Sequence, residues 1–170
     1  MRISLGGFVL GVGFLAMVMA VTARGQSEPP QVSGGVYGSY GLVVALDLNL
    51  SAGGYVEAAR FRFRPGAEVR GTAGTFGEAG QKLVVAGPRV SHLLMGGDVY
   101  GAALFGPSHQ WNPTGTKEIS GVTSQVAIGI EKDLGSHLRW RLLELNAGFF
   151  SGASGLQTFA VSTGLVLHFH

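Results

Sequence analysis

Charged and histidine side chains recur in this chain at spacings of two. Arg60 and Arg62, Glu68 and Arg70, Arg139 and Arg141, Glu144 and Asn146, and His168 and His170 each stand two residues apart. In extended backbone, successive side chains point to opposite sides, so each pair shares a face. Acids and bases on one face can move protons in a reaction, or they can neutralise one another where water is excluded. The catalytic use lacks its other parts. Ser91 and His92 are neighbours, so on a strand they face apart and do not form a nucleophile and its base. His168 and His170 share a face, but a metal site needs a third ligand and none is near in sequence. There is no cysteine, which removes thiolate sites and disulfides from consideration. The residues point to a non-enzyme without cofactor or metal.

The elements that hold these residues read as strands. Glycine is abundant, with 29 residues spread along the chain, and opposes long helices. Period-two segments separated by Gly, Pro, Asn and Asp predict eight strands, over 36–46, 55–64, 67–75, 82–94, 98–106, 121–132, 138–149 and 156–170. Tight turns are expected at Pro65-Gly66, around Gly96-Gly97 and at Asp133 to Ser136, with a long loop over 107–119. Short and longer joints alternate, as they do where all the short turns lie at one end of a barrel. Pro88 inside the fourth strand predicts a bulge. A second bulge at Leu142-Leu143 would bring Arg139, Arg141, Glu144 and Asn146 to one side. Glu57 shares its parity with Phe61 and so is expected on the outer face or at the rim.

Charged residues make up 13% of the chain, about half the ordinary level. Much of the surface is therefore expected to face something other than water. Beyond the N-terminal region, no segment is apolar for the ~18 residues that a spanning helix needs. A chain that spans a membrane without helices has only the closed barrel left, because every backbone group must be paired inside the bilayer. The last strand fits that role. Phe159, Val161, Thr163, Leu165, Leu167 and Phe169 form its apolar face, and Thr158, Ala160, Ser162, Gly164, Val166, His168 and His170 the small or polar one. The fold expected is all-β: an eight-stranded antiparallel transmembrane β-barrel, wound as an up-and-down meander.

A barrel of eight strands is just wide enough for its side chains to fill. The inward residues are expected to be Arg60, Arg62, Glu68, Arg70, Gln125, Glu131, Arg139, Arg141, Glu144 and His168. Apart from Gln125 and His168, these form a lumen ion-pair network, since buried charges need partners. Tyr55, Tyr100, Trp140, Phe149 and Phe150 are candidates for aromatic girdles at the membrane surfaces. His109 and Trp111, in the 107–119 loop, are candidates for contact with an extracellular partner.

Several segments resemble a known family. They are Gly87-Pro88-Arg89-Val90-Ser91, Ala103 to His109, Ala127 to Asp133, His137 to Glu144, and Ser162 to Phe169. Together they resemble the outer-membrane β-barrel domain family, the small OmpA- and OmpX-like porin-family barrels of Gram-negative bacteria. The likeness runs through residues 82–170 and thins over 32–81. It implies an integral outer-membrane protein without a cofactor, surrounded by outer-membrane lipid. It also implies that Leu165, Leu167 and Phe169 form a C-terminal insertion signal for the barrel-assembly machinery, from which His170 after the last aromatic is a departure.

Residues 1–25 read as a secretory signal peptide and 26–170 as the barrel. Arg2 provides the positive start, Leu5 to Val21 is an apolar run, and Ala23-Arg24-Gly25 offers small residues for cleavage. The chain has 12 basic and 10 acidic side chains, and the leader holds Arg2 and Arg24 and no acid. The barrel part is formally neutral, which speaks against a nucleic-acid partner. The expected protein is a monomer of the cell outer membrane, exported through the periplasm after cleavage, with a structural or surface-interaction role and a side-chain-filled lumen. Two rivals remain open at this point: a narrow porin-like channel for small solutes, and a soluble secreted lipocalin-like barrel holding an apolar ligand. N-terminal sequencing of the purified protein is expected to start at Gln26. A chain still starting at Met1 would remove the argument for export.

Overall fold

The computed structural model describes residues 32–43, 47–58, 63–76, 79–94, 96–111, 118–151 and 157–169. They form eight strands: β1 (Val32–Val43), β2 (Asp47–Ala58), β3 (Phe63–Phe76), β4 (Ala79–Leu94), β5 (Gly97–Trp111), β6 (Glu118–Asp133), β7 (Leu138–Phe150) and β8 (Gln157–Phe169). Each pairs antiparallel with the next, and β1 pairs with β8 from Gly34↔Phe169 to Val43↔Ala160, so the sheet closes on itself. The fold is the expected eight-stranded meander barrel.

The alternation in sequence becomes an inversion in space. On β6, Val122, Val126, Ile128 and Ile130 are exposed, while Thr123, Gln125, Ala127 and Glu131 between them are buried. Val, Leu, Ile and Phe side chains cover the outside of the other strands too, while Arg70, Arg89, Arg139, Arg141, Glu57, Glu68, Glu131 and Glu144 are buried within. Water-soluble proteins have the opposite arrangement, whereas a barrel in hydrocarbon requires this one.

The structure moves several boundaries. β2 begins at Asp47 and pairs along its length with β1, and the joint to β3 is 59–62. Pro65 and Gly66 are therefore strand residues and not a turn. The β2–β3 ladder ends at Glu57↔Gly66, so Pro65 lies beyond it on that side, at an edge position that suits proline, and on the other side it pairs with Val90 of β4. β2 ends at Ala58, and Phe61 lies outside the described residues, so the parity argument through Phe61 does not place Glu57. Glu57 faces inward and is buried, not placed on the lipid side. Pro88 interrupts the β4–β5 ladder without adding a residue, since Ala86↔Phe105 and Arg89↔Ala102 keep one register. The bulge expected there is absent.

The bulge expected at Leu142-Leu143 is present. Registers shift between Ile130 and Glu131 on β6 and between Arg141 and Glu144 on β7. β5 runs on through Pro107 to Trp111, so the loop shrinks to 112–117, and His109 and Trp111 stand on the outer face of a strand. The joint between β3 and β4 is only 77–78. Asymmetry between the two ends thus lies less in joint length than in the long strands β3 to β6. The turn at Gly96 is as expected, and its φ of 82° lies in the left-handed region that suits glycine.

Three tyrosines enter the lumen opposite glycines. Tyr37 pairs with Gly53, Tyr55 with Gly35 and Tyr100 with Gly129. Each ring lies across its glycine. A Cβ at Gly129 would come within 2.5 Å of the Tyr100 ring, and one at Gly53 within 2.7 Å of the Tyr37 hydroxyl. At Gly38, on the outer face, a Cβ meets nothing within 4 Å. Gly129→Ala is therefore expected to destabilise the barrel by about 1–3 kcal/mol, and Gly38→Ala to stay within about 0.5 kcal/mol of wild type. Urea unfolding, read as heat-modifiable migration in gels, measures both.

Candidate functional site

The interior charges are ordered by strand register. Glu68 and Arg70 come from β3, Arg89 from β4, Glu131 from β6, and Arg141 and Glu144 from β7. The β7 bulge keeps Glu144 inward at odd spacing from Arg141. Together the six make a closed ring in which arginine and glutamate alternate. Arg89 reaches Glu68 at 3.1 Å, and Glu68 reaches Arg70 at 2.7 Å. Arg70 reaches Glu144 at 2.7 Å, and Glu144 reaches Arg141 at 3.0 Å. Arg141 reaches Glu131 at 2.8 Å, and Glu131 returns to Arg89 at 3.3 Å.

Tyrosines complete the ring. Tyr37 donates to Glu68, Tyr55 to Glu131 at 3.2 Å, and Tyr100 to Glu144, one hydroxyl for each glutamate. Their rings also bracket the guanidinium groups. Arg89 lies 3.9 Å from the Tyr55 centroid and 3.8 Å from that of Tyr100, and Arg141 lies 3.8 Å from that of Tyr37. A desolvated cation between aromatic faces gains from their quadrupoles. Ser162 on β8 donates to Glu144 at 3.2 Å, so the ring draws on every strand of the barrel.

A chain of pairs leads from the ring to the end where β1 begins and β8 ends. Arg89 also bonds Glu57 at 2.7 Å, and Glu57 lies 4.0 Å from Arg64. Arg64 pairs with Asp98, which Arg139 meets at 2.7 Å. Arg139 then reaches the exposed Asp133 at 2.6 Å. Among the described residues, and without rim-exposed Asp133, five arginines face five acids, and each acid touches two arginines. This inner network is electroneutral.

The loop-ward half of the lumen is different. Leu83, Val85, Ala102, Leu104 and Ala127 form an apolar wedge. Asn49, Ser51, Thr72, Gln125 and Asn146 line the remaining space, with Arg70 at its floor. That space has room for water centres of only about 30 Å³, enough for a water or two.

Of the residues singled out in sequence, Glu68, Arg70, Glu131, Arg141 and Glu144 meet in the ring, and Arg139 stands in the chain below it. Arg60, Arg62 and His170 lie outside the described residues. His168 and Gln125 are buried on the inner face. Leu165, Leu167 and Phe169 face outward. Tyr55, Tyr100 and Phe150 are buried in the lumen and are not girdle residues, whereas Trp140 and Phe149 do face outward. Ser91 donates to Glu57 inside, while His92 stacks on Phe63 outside, so the two stand on opposite faces.

The residues that sequence reasoning misses are Glu57, Arg64, Arg89 and Asp98 and the three tyrosines. A signal exists for two of the acids. Glu57 stands two from Tyr55, and Asp98 two from Tyr100, so each shares a face with an inward ring.

No protein-family model matches the chain, and no curated protein matches it. Solved structures do. Neisserial surface protein A (NspA) is 11% identical with a TM-score of 0.53, over 84% of this chain and all of that one. The N-terminal β-barrel domain of OprF from Pseudomonas aeruginosa is 11% identical with a TM-score of 0.48, over 83% of this chain and all of that one. A de novo designed transmembrane β-barrel is 13% identical with a TM-score of 0.49, over 85% of this chain and all of that one. At such identities the likeness is one of fold: that of a small closed transmembrane barrel.

Breaking the ring on either side should be costly, because the partner left behind is a buried charge. Arg141→Ala and Glu131→Ala are each expected to lower unfolding stability by roughly 3–5 kcal/mol, and outward-facing Lys132→Ala by less than about 0.5 kcal/mol. Unchanged urea midpoints for both ring variants would show that the network is not cooperative.

Proposed function

We propose that this chain is a small integral outer-membrane protein of the OmpA- and OmpX-like class. In this reading it is a monomer with a sealed lumen, and its work is structural or lies in contacts made at the cell surface. One observation carries the reading: a closed barrel, apolar outside, holds a neutral network of arginines and acids across its inside. Hydrocarbon would cover the outside, and the ion pairs would replace the water that a channel needs. Leu165, Leu167 and Phe169 would serve as the insertion signal read by the assembly machinery. A surface partner would meet the loop-end rim, where the β5–β6 hairpin carries His109 and Trp111 on its outer face.

Both rivals fare worse on the same observation. A lipocalin-like carrier needs an apolar interior for its ligand, and here the described residues of the interior include five arginines and five acids. A pore needs its charges to part around water, and here they are joined to one another across the lumen.

Two measurements test the reading. The chain is expected to remain with outer membranes after a carbonate wash, and recovery in the soluble fraction would overturn the membrane assignment. In planar bilayers the wild-type barrel is expected to give no steady large unitary current. The Arg89→Ala, Arg141→Ala double variant, if it folds, should admit small ions. A large steady current from wild type would favour the pore.

A further inference from the structure

The outside of the barrel is not uniform. Across β1 to β4, one outward row of paired residues is Gly38, Ala52, Gly71 and Val84, and the next row toward the loops is Tyr40, Leu50, Ala73 and Lys82. The small residues leave a shallow, open groove between these rows, with Tyr40 and Leu50 on one side and Val84 and Lys82 on the other. Packing within the protein does not explain why the floor is so low. A Cβ on Gly38 would meet nothing within 4 Å, and one on Gly71 only the Ala52 carbonyl oxygen at 3.8 Å. The glycines opposite the inward tyrosines, by contrast, are small because the rings require it.

Lys82 stands at the loop end of this groove. Its ammonium lies 5.2 Å from the Trp111 ring centroid, and no carboxylate of the described residues lies within 4 Å of it. Glu118 on β6 is turned to His109, 3.8 Å away. The groove is thus apolar along its length and positive at one end.

We infer that this groove seats an acyl chain of an anionic outer-leaflet lipid, with the lipid's phosphate against Lys82. The inference rests on the membrane reading above. Charge and shape both select the occupant: apolar chain below, acceptor oxygens above, at the level where a headgroup layer begins. A second copy suits the groove less well. Two barrels inserted the same way round are related by an axis along the membrane normal, and pairing them on this face would bring two Lys82 side chains together.

The test is native mass spectrometry of the folded, purified protein in detergent micelles. Phosphatidic acid, diacylglycerol and inorganic phosphate are the probes. Wild type is expected to retain one phosphatidic acid and no inorganic phosphate. Lys82→Gln should weaken retention of phosphatidic acid by about fivefold and leave diacylglycerol unchanged. Gly38→Leu with Gly71→Leu, which fills the groove at two positions where an added Cβ meets no close neighbour, should keep heat-modifiable migration and lose both lipids. Equal retention of phosphatidic acid by the filled variant would overturn the inference, as would retention of inorganic phosphate at Lys82 or a dimer mass that the filled variant abolishes. If wild type stays in phosphatidylcholine vesicles through a carbonate wash but retains no phosphatidic acid, the groove assignment alone fails. Loss from the vesicles would sink the membrane reading itself.

Discussion

Backbone closure is the constraint on which everything else in this protein depends. In hydrocarbon no water is available to an unpaired N–H or C=O, so a sheet that enters it must have no edge. Here β1 and β8 meet along ten register pairs, from Gly34↔Phe169 to Val43↔Ala160, and remove the edge. Once eight strands close, every side chain is sorted to one of two places, a wide outside or a narrow inside. The inside is just wide enough for side chains to fill and too confined for loose charges. Polar residues placed there must satisfy one another, and the Arg–Glu ring is how this chain does it.

The ring is better understood as a device for specificity than for stability. Desolvating six charges costs much of what their attraction returns, and an apolar filling of equal volume could be as stable. What the ring contributes is geometry. Arg89 and Arg141 each bond carboxylates from different strands and lie against tyrosine rings from others. A strand that slipped by one residue would turn its charge toward lipid and leave two partners unpaired. The bulge on β7 belongs to the same logic. It adds one residue between Arg141 and Glu144 so that both point inward.

Much of this architecture is legible in the sequence. Alternation of Val and Ile with Thr, Gln and Glu in β6, and the odd spacing of Arg141 and Glu144, carry the barrel and the bulge. Where local patterns mislead, they do so for a shared reason. Pro65-Gly66 reads as a turn, Pro88 as a bulge and Pro107 as the start of a loop, because local rules treat proline as a strand breaker. In a barrel whose neighbouring ladder ends, or lacks a bond at that point, proline costs little. Tyr55 and Tyr100 mislead in a similar way. An aromatic at a membrane protein's surface is the common case, and only a glycine across the strand lets one lie inside.

By itself the sequence determined which side chains share a face, because that follows from a period of two and needs no partner strand. It therefore pointed to an apolar face and a polar face along strands such as β6 and β8, but not to the inward places of Glu57, Tyr55, Tyr100 and Phe150. Tertiary structure alone decided which base meets which acid. Arg70 and Glu144 are 74 residues apart, and Tyr55 and Glu131 are 76 apart. Such pairs meet only when closure brings opposite walls within reach across the lumen. The register of eight ladders, which no local pattern encodes, sets the height at which each of them stands.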